Sequence, residues 1–420
     1  MRIQFLGHRF LLLCWVALLL CACASRDAQR PRPLEPVVEY DAQIPGTRPV
    51  PSMLPAPSPA PALGLAAPAA PDRGPADPVV TPLKEATPVA SGAGPHIALI
   101  LPLASATFGS VAGAFRQGFV AAAGFEGKNA PPYRIYVVDN EADSLANTFR
   151  SALSNGAEMV VAGLTRDGAS LLSRLTLQAG KRGLSILALN VPDVSAPDDY
   201  YSISLSLDNE ARQAAQFAAS EGARSVAIIH SSTGLGIRIQ DGFEKEWTHL
   251  GGAVLARIPF SGDPGDAPRI RAKLENLAVD IVFIAAEPEV ARFARPYVPV
   301  GMPVYATSFS FDMRAAAVTN IDLDGMRFLD MPWFVQPDHP AVMVYPRPSG
   351  GTSVEQERLY ALGVDAWRLA VLLIKSDRRN PSIDGVTGRL TLDANHQFLR
   401  SLTAVEFRDG RAQVYKNSAE

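Results

Sequence analysis

From residue 96 onward, short apolar runs alternate with amphipathic segments along the chain. Apolar runs of about four to eight residues are typical of buried strands, and the segments between them have helical spacing. This succession predicts an α/β fold in which helices cover both faces of parallel sheets. The predicted strands are 96–101, 134–138, 157–162 and 184–189 in a first half, and 225–229, 253–258 and 280–285 in a second.

The helices between these strands are predicted from apolar positions that recur on one face. Residues 109–124 form the first helix, and residues 167–182 form another that begins at Asp167, a residue type that caps helices. Further helices are predicted at 208–221, 236–249, 268–277 and 354–375. Because the second half repeats the order of the first, we expect the same doubly wound architecture to occur twice.

The amino terminus has the features of an export signal. Basic residues precede an apolar run at 10–20, which is too short for an ordinary membrane-spanning helix. The run ends in Leu20-Cys21-Ala22-Cys23, which resembles the bacterial lipobox. Residues 1–22 are therefore predicted to be a lipoprotein signal peptide and Cys23 to be acylated, the alternative being an ordinary secretory signal. Ala24, where retained inner-membrane lipoproteins carry Asp, favours the periplasmic side of the outer membrane.

A tether is predicted between the lipidated cysteine and the first strand. Of the 35 prolines in the chain, 17 lie in residues 26–95, and the stretch has too few large apolar residues to build a core. We expect residues 23–95 to be disordered and extended, with a reach on the order of 100–200 Å. Such a tether is either a simple spacer or a device that carries the folded part through the cell wall.

Composition and charge exclude several classes of protein. The chain has 39 basic and 42 acidic residues, a formal net charge of −3 and no basic run, which disfavours nucleic acid as a partner. All three cysteines, Cys14, Cys21 and Cys23, lie within the first 23 residues. Disulfides, cysteine nucleophiles and cysteine-bound zinc are therefore not expected in the folded part.

Catalytic and cofactor motifs are missing from the sequence. It contains no Gly-x-Ser-x-Gly, Ser-x-x-Lys, His-Glu-x-x-His or phosphate-binding glycine loop. The histidines are scattered, and residues 320–325 resemble the start of a calcium loop whose last ligand position is Met331 instead of Glu. We therefore predict a protein that is not an enzyme, with no catalytic residue, metal or cofactor.

Polar residues follow several predicted strands, where ligands bind in doubly wound folds. Hydroxyl groups there suit a carboxylate or a sugar, and an acidic side chain suits an ammonium group. The alternative is that such loops are polar in any α/β protein. The candidate cleft residues are Ser105, Thr165, Asn190, Ser232, Glu287 and Ser308.

Three stretches of sequence carry a resemblance to known families. Residues 97–119, IALILPLASATFGSVAGAFRQGF, are similar to the opening of type I periplasmic binding proteins. Residues 359–370 and 385–411 resemble the carboxy-terminal domain of penicillin-binding-protein activator lipoproteins of the LppC or LpoA type. Enteric members carry a helical domain ahead of this one, where the present chain has only the tether.

The resemblance to type I periplasmic binding proteins implies two doubly wound parallel-sheet lobes that are discontinuous in sequence and joined by three hinge crossovers. Lobe 1 is expected to contain residues 96–204 and 331–375, and lobe 2 residues 205–330 and 376–414. Within the last segment, the alternation of 388–392 and 402–407 predicts a hairpin. Asp365, on the helix that returns to lobe 1, is expected either to cap or pair near the hinge or to hold a ligand.

The resemblance also implies a function. The function implied is that of an outer-membrane lipoprotein that docks on a class A penicillin-binding protein and activates it, regulating peptidoglycan synthesis. The alternative is a lipid-anchored solute receptor for an ABC transporter of an amino acid or amide. A cell-wall hydrolase is disfavoured by the missing motifs, and binding of a small molecule in the cleft stays open.

Overall fold

The computed structural model describes residues 94–181, 183–348, 351–375 and 381–416. The predicted signal peptide, Cys23 and all but the last two residues of the predicted tether lie outside the described residues. The strands are β1 (His96–Leu101), β2 (Tyr133–Val137), β3 (Ala157–Ala162), β4 (Ser185–Ala188), β5 (Tyr200–Ile203), β6 (Ser225–His230), β7 (Ala253–Pro259), β8 (Ile281–Ala285), β9 (Val304–Ala306), β10 (Met326–Asp330), β11 (Ser382–Gly385), β12 (Gly388–Leu392), β13 (Gln397–Ser401), β14 (Thr403–Arg408) and β15 (Arg411–Val414). The α-helices are α1 (Gly109–Glu126), α2 (Ala142–Ser154), α3 (Arg166–Ala179), α4 (Leu207–Ser220), α5 (Gly234–His249), α6 (Ala267–Glu275), α7 (Pro288–Ala294), α8 (Pro332–Val335), α9 (Pro340–Met343) and α10 (Val354–Lys375).

The strands form two sheets, each covered by helices on both faces. The first has eight strands in the order β11-β12-β13-β5-β4-β3-β1-β2, and the second has seven in the order β15-β14-β10-β9-β8-β6-β7. Strands β1 to β5 pair in parallel, as do β6 to β10, and the antiparallel pairs come from the carboxy-terminal strands. The predicted α/β class with two doubly wound lobes is confirmed. We call the first sheet with its helices lobe 1, and the second sheet with its helices lobe 2.

The carboxy-terminal strands correct two predictions. The segment 376–414 was assigned to lobe 2, but β11, β12 and β13 join the first sheet, where Gln397 of β13 pairs in parallel with Ser202 of β5. The predicted hairpin of 388–392 with 402–407 is also wrong. Strand β12 pairs with β11 and β13, whereas β14 turns Val405 and Phe407 into the lobe 2 core and pairs with β10. The chain therefore crosses between lobes at Leu402.

Lobe 1 is held together by a close pair of helices, α1 and α10. Gly118 of α1 lies against the carbonyl of Tyr360, and Gly363 of α10 lies against the carbonyl of Phe115, so the helix backbones touch. Beside this contact, the rings of Phe119 and Trp367 meet edge to face at 5.1 Å. Both rings are fully buried, and burial of each stabilises the fold by roughly 2–3 kcal/mol.

Lobe 2 contains the corresponding pair of helices, α4 and α5, but different side chains pack around their contact. Helix α4 presents buried alanines, and α5 presents Phe243 and Trp247. The Phe243 ring stacks on Phe283 of β8 with 3.8 Å between centroids. Large rings therefore occupy the space between α5 and the sheet, while small residues line the contact between the helices.

The lobes are joined by three connections, from β5 to α4, from β10 to α8 and from β13 to β14. These connections lie at residues 204–206, Met331 and Leu402, and we call the region around them the hinge. Within the described part of the chain, no helix combines the length and the apolar character needed to cross a membrane.

Candidate functional site

Each connection brings a charged residue to the hinge. Glu210 lies in α4 after the first connection, Asp330 ends β10 before the second, and Arg400 lies in β13 before the third. Arg358 of α10 completes the group. Together with Ser308, we call these residues the hinge cluster.

Asp330 and Arg358 form a buried, two-pronged ion pair. The Nη1 and Nη2 atoms of Arg358 donate to Asp330 Oδ1 and Oδ2 at 2.6 and 2.9 Å. Asp330 has no solvent exposure, and its Oδ1 also accepts a bond from the Met331 backbone amide at 2.7 Å. Parallel hydrogen bonds of this kind are the strongest form of the arginine–carboxylate contact. The pair ties the end of β10 to α10, across the second connection.

Glu210 is buried with a hydroxyl partner. Ser308 Oγ lies 2.8 and 3.0 Å from the two carboxylate oxygens and donates to them. Burial raises the pKa of Glu210 to about 7, because the charged form loses its hydration, while the charges of Arg358 and Arg400 oppose the rise. Near neutral pH, Glu210 is therefore only partly ionised and neutralises a neighbouring arginine incompletely.

Arg400 is bound through backbone carbonyls. Its Nε donates to the oxygen of Ser204 at 3.0 Å, and its Nη1 donates to the oxygen of Thr387 at 3.4 Å. Burial lowers the pKa of its guanidinium, although nearby Glu210 opposes the shift. Among the residues that the structure describes, Arg400 makes no ion pair within 4 Å.

The hinge cluster opens into a cavity of about 770 Å³, which we call the hinge cavity. Glu210, Ser308, Arg358 and Arg400 all line it. Its remaining wall is largely apolar and comes from both lobes: Leu359 on α10 belongs to lobe 1, and the segment 309–315 follows β9 in lobe 2. The volume falls in the range of small-molecule sites, which are mostly apolar with a few well-placed polar groups.

The structure places the predicted lobe 2 residues in different surroundings. Ser308 lines the hinge cavity. Glu287 is half-buried and accepts a hydrogen bond from Thr233 Oγ1 at 2.5 Å. Burial favours the neutral form of Glu287, but the bonds from Thr233 and Ser231 prevail and lower its pKa. Ser232 is exposed in the loop ahead of α5.

The three candidate cleft residues in lobe 1 are hydrogen-bonded to backbone groups of nearby loops and helix starts. Ser105 Oγ accepts from the Phe108 amide at 3.1 Å ahead of α1. Thr165 caps α3 by accepting from the Gly168 amide at 3.1 Å, so the cap expected at Asp167 lies two residues earlier. Asn190 donates to the Leu164 carbonyl and lines a neighbouring pocket of about 370 Å³, which shares Leu205, Leu207 and Leu359 with the hinge cavity. The structure does not gather these residues with Ser308 in one cavity.

Glu210, Arg358 and Arg400 are site residues that were not predicted from the sequence. Glu210 had a visible signal, because it falls on the apolar face of α4 beside Ala211 and Ala214, where a charged residue indicates a buried partner. Arg400 lies within residues 385–411, which carried the family resemblance, but its polar neighbours gave no sign that it would be buried. Within the described ranges, the structure contains no group of three His, Cys, Asp or Glu residues placed to hold a metal ion.

Comparison with protein-family models shows what the two lobes belong to. The model described as "LppC putative lipoprotein" matches residues 93–277 and 269–410, which together include all but the end of the described chain. This chain belongs to the LppC family.

The LppC family match is accompanied by named relatives and solved structures. The "Penicillin-binding protein activator LpoA" of Dickeya chrysanthemi is 26% identical over 325 residues, which are 67% of this chain and 46% of the relative. The "LpoA (YraM) C-domain from Haemophilus influenzae, a regulator of PBP1A" is 23% identical with a TM-score of 0.64, covering 76% of this chain and 100% of that one. A "putative branched-chain amino acid ABC transporter" from Chromobacterium violaceum is 32% identical with a TM-score of 0.64, covering 75% and 100%.

These matches confirm the predicted type I periplasmic-binding-protein-like fold and the LppC/LpoA resemblance. The chain spans about half the length of the curated relatives it matches. The LpoA relatives are named as activators and as a regulator, not as enzymes.

Proposed function

We propose that this LppC protein is a non-enzymatic activator that docks on a class A penicillin-binding protein and stimulates peptidoglycan synthesis. The observation that carries the proposal is the family match, which extends over both lobes and the hinge. The names of the LpoA relatives support the choice of partner. Because the match covers the two-lobed domain, docking is assigned to this domain and not to a preceding helical one.

The proposal includes an anchor and a tether. Acylated Cys23 holds the protein on the periplasmic side of the outer membrane, and residues 23–95 give the folded part its reach. A tether of this length lets the lobes meet a synthase that works at the inner membrane.

The first test measures glycan polymerisation and crosslinking by the host's class A penicillin-binding proteins. The added protein is the chain from residue 23 with Cys23→Ser, which removes the site of acylation. We expect one synthase to be stimulated. If none responds over a concentration series that reaches saturation in a binding assay, docking does not activate and the proposal fails.

A second test separates docking from reach. Deleting residues 26–95 while Cys23 is kept should leave stimulation unchanged in solution, because the lobes are intact. In cells, the same deletion should abolish activation, because the anchored lobes no longer reach the synthase. A Gly/Ser-rich segment of equal length serves as the matched control and should restore activity. Full activity of the short form in cells would contradict the role of the tether.

A solute receptor is the second candidate function. The Chromobacterium violaceum relative, at 32% identity, favours it, as does a cavity of about 770 Å³. Thermal shift with each standard amino acid tests this candidate. A receptor binds one of them tightly and stimulates no synthase, whereas the proposed activator stimulates a synthase whether or not an amino acid binds.

A further inference from the structure

We propose that a pocket in lobe 1, at the end away from the hinge, is a binding site for an uncharged sugar ring. The pocket lies between the loop 191–198, which leads towards β5, and the turn 394–396, which leads into β13, and we call it the β5–β13 pocket. Its volume is about 450 Å³, within the range of small-molecule sites. This inference goes beyond activation of a synthase and does not depend on it.

The β5–β13 pocket is distinct from the hinge cavity. Strands β5 and β13 pair in parallel, and the chain enters the hinge at their carboxyl ends, whereas the pocket lies at their amino ends. No residue that the structure describes lines both spaces. Both walls of the pocket belong to lobe 1, so a ligand bound there does not bridge the lobes.

A buried hydroxyl group faces the pocket without a partner. Ser202 of β5 is 4% exposed and lines the pocket, and its amide donates to the His396 carbonyl at 3.1 Å. Its Oγ makes no hydrogen bond to any residue that the structure describes. Burying a hydroxyl in this state costs free energy, and a hydrogen bond from a ligand would remove that cost. Ser202 therefore indicates a ligand at this position.

The other polar groups of the pocket identify the class of ligand. The side chains of Asp198, Asn395 and Gln397 line it and make no hydrogen bond or ion pair within the described part of the chain. A carboxamide both donates and accepts, and a carboxylate accepts, which suits the hydroxyl and amide groups of a sugar. The described lining contains no lysine or arginine, so the pocket is not suited to an anion.

The loop wall of the pocket is largely apolar. Sugar rings have apolar C–H faces as well as hydroxyl groups, and such a face is buried favourably against aliphatic side chains. The apolar residues of this wall are Val191, Pro192, Val194, Ala196 and Pro197. The pocket thus combines an apolar wall with uncharged hydrogen-bonding groups, as a sugar requires.

Both walls are fixed by hydrogen bonds within the protein. In the turn, Asp393 Oδ1 accepts from the amides of Asn395 and Gln397 at 2.9 and 2.8 Å. In the loop, the Ser195 carbonyl accepts from the buried hydroxyl of Ser173 at 2.8 Å, which holds the loop on α3. Because the walls are already ordered, little conformational entropy is lost when a ligand binds.

The test uses isothermal titration calorimetry and the chain from residue 23 with Cys23→Ser. The probes are N-acetylglucosamine and its β-1,4-linked tetramer, which are uncharged and carry hydroxyl and amide groups. We expect at least the tetramer to bind. Binding of the tetramer at least about tenfold more tightly than the monomer would identify a glycan strand as the source of the sugar, and a smaller difference would identify a free sugar.

Two results of this titration would overturn the proposal. One is that neither probe binds. The other is that glucosamine, whose amine is protonated at neutral pH, binds while N-acetylglucosamine and its tetramer do not, because the pocket would then be a cation site at Asp198.

Ser202→Ala tests the buried hydroxyl. We expect it to weaken binding of the sugar about three- to tenfold, the effect of losing one neutral hydrogen bond. The free energy of unfolding should not fall, because the change removes a hydroxyl that has no partner in the free protein. Unchanged sugar binding by this variant would contradict the proposal, whatever its stability.

A second variant locates the site without touching a proposed ligand group. Ala394 is exposed and lines the pocket, so Ala394→Trp should occupy part of it and weaken binding at least about tenfold. Ala106 is also exposed in lobe 1 but lies outside the lining, so Ala106→Trp is the matched control and should bind normally. Normal binding by Ala394→Trp would place the sugar elsewhere and overturn the proposal.

Discussion

The two lobes share an architecture but differ in how closely their helices pack. In lobe 1, the backbones of α1 and α10 touch at Gly118 and Gly363, and a Cβ atom at either position would overlap a carbonyl oxygen of the other helix. In lobe 2, a Cβ at Gly242 of α5 would lie 3.1 Å from the Asp208 carbonyl, which is tight but adjustable. The same fold therefore tolerates a looser helix contact in one half than in the other.

The lobes also differ in how they hold a buried acid. Asp365 of α10 accepts hydrogen bonds from the Val386 amide at 3.0 Å, the Thr387 amide at 2.8 Å and the Thr387 hydroxyl at 2.7 Å. Glu210 of α4 has the Ser308 hydroxyl as its hydrogen-bond partner. Asp365 thus fixes the β11–β12 turn to lobe 1, whereas Glu210 faces a cavity. Asp365 therefore has a structural role in lobe 1, whereas Glu210 lies where the contents of the cavity can affect it.

Glycine-to-alanine substitutions at the helix contacts should give the largest difference between the lobes in their effect on the free energy of unfolding. Gly363→Ala forces a methyl group into the Phe115 carbonyl, so α1 and α10 must separate, and we expect a loss of about 4 kcal/mol or more in the free energy of unfolding, or failure to fold. Gly242→Ala should change it by no more than about 1 kcal/mol. Urea unfolding followed by circular dichroism measures both.

The control for this pair is Gly113→Ala in α1, where an added Cβ meets no atom within 4 Å. It should stabilise the protein by roughly 0.5–1 kcal/mol, because alanine is the better helix former. Equal losses at Gly363 and Gly242 would show that the lobes do not differ in the way described.

Removing Asp365 should have the next largest effect. Asp365→Ala leaves two buried amides and a hydroxyl without their acceptor, so we expect a loss of about 3–4 kcal/mol and faster hydrogen exchange at Val386 and Thr387. Asp384→Ala changes an exposed acid in the same turn region and should have little effect. Unchanged exchange at Val386 in the Asp365 variant would refute its role in holding the turn.

The pH dependence of stability should show the smallest effect. Burial raises the pKa of Glu210 from 4.5 to about 7, so the folded protein binds more protons than the unfolded chain between these values. The free energy of unfolding contributed by this group therefore falls as pH rises from 4.5 to 7, by at most about 3 kcal/mol. Glu210→Gln should remove this decline.

The measurement compares the free energy of unfolding of the Glu210→Gln variant with that of the unchanged protein between pH 4 and pH 8. Glu289→Gln, at an exposed acid on the rim of the cavity, should retain the slope of the unchanged protein. Parallel curves for the Glu210 variant and the unchanged protein would mean that Glu210 ionises in the folded state as it does in the unfolded one.

Much of the fold was predictable because its signals are local. The strands at 96–101 and 157–162 are apolar throughout or nearly so, as expected for strands covered on both faces, and they are found at those positions. Strands β5, β9 and β10 were not predicted; β5 and β9 have only four and three residues, which leaves little room for a pattern. The carboxy-terminal strands were recognised in part, but their partners were not, since alternation indicates a strand's faces and not its neighbours.

The candidate site also shows that local sequence patterns do not reveal which distant residues meet. Ser105 and Thr165 were predicted as ligand groups because they follow strands. In the structure, Ser105 accepts the Phe108 amide in the turn before α1, and Thr165 caps α3 by accepting the Gly168 amide. Arg400 and Ser204 are bonded across 196 residues of sequence, and no local pattern reports such a contact.

By itself, the sequence determined the α/β class, the two doubly wound halves, most of their strands and helices and many residues of the buried faces, because these follow from the spacing of apolar positions. Only the tertiary structure decided that β11 to β13 join the first sheet and that Glu210, Asp330, Arg358 and Arg400 meet at the hinge. Such choices depend on which backbone groups and charges remain to be paired once the lobes have packed, and those partners come from distant parts of the chain.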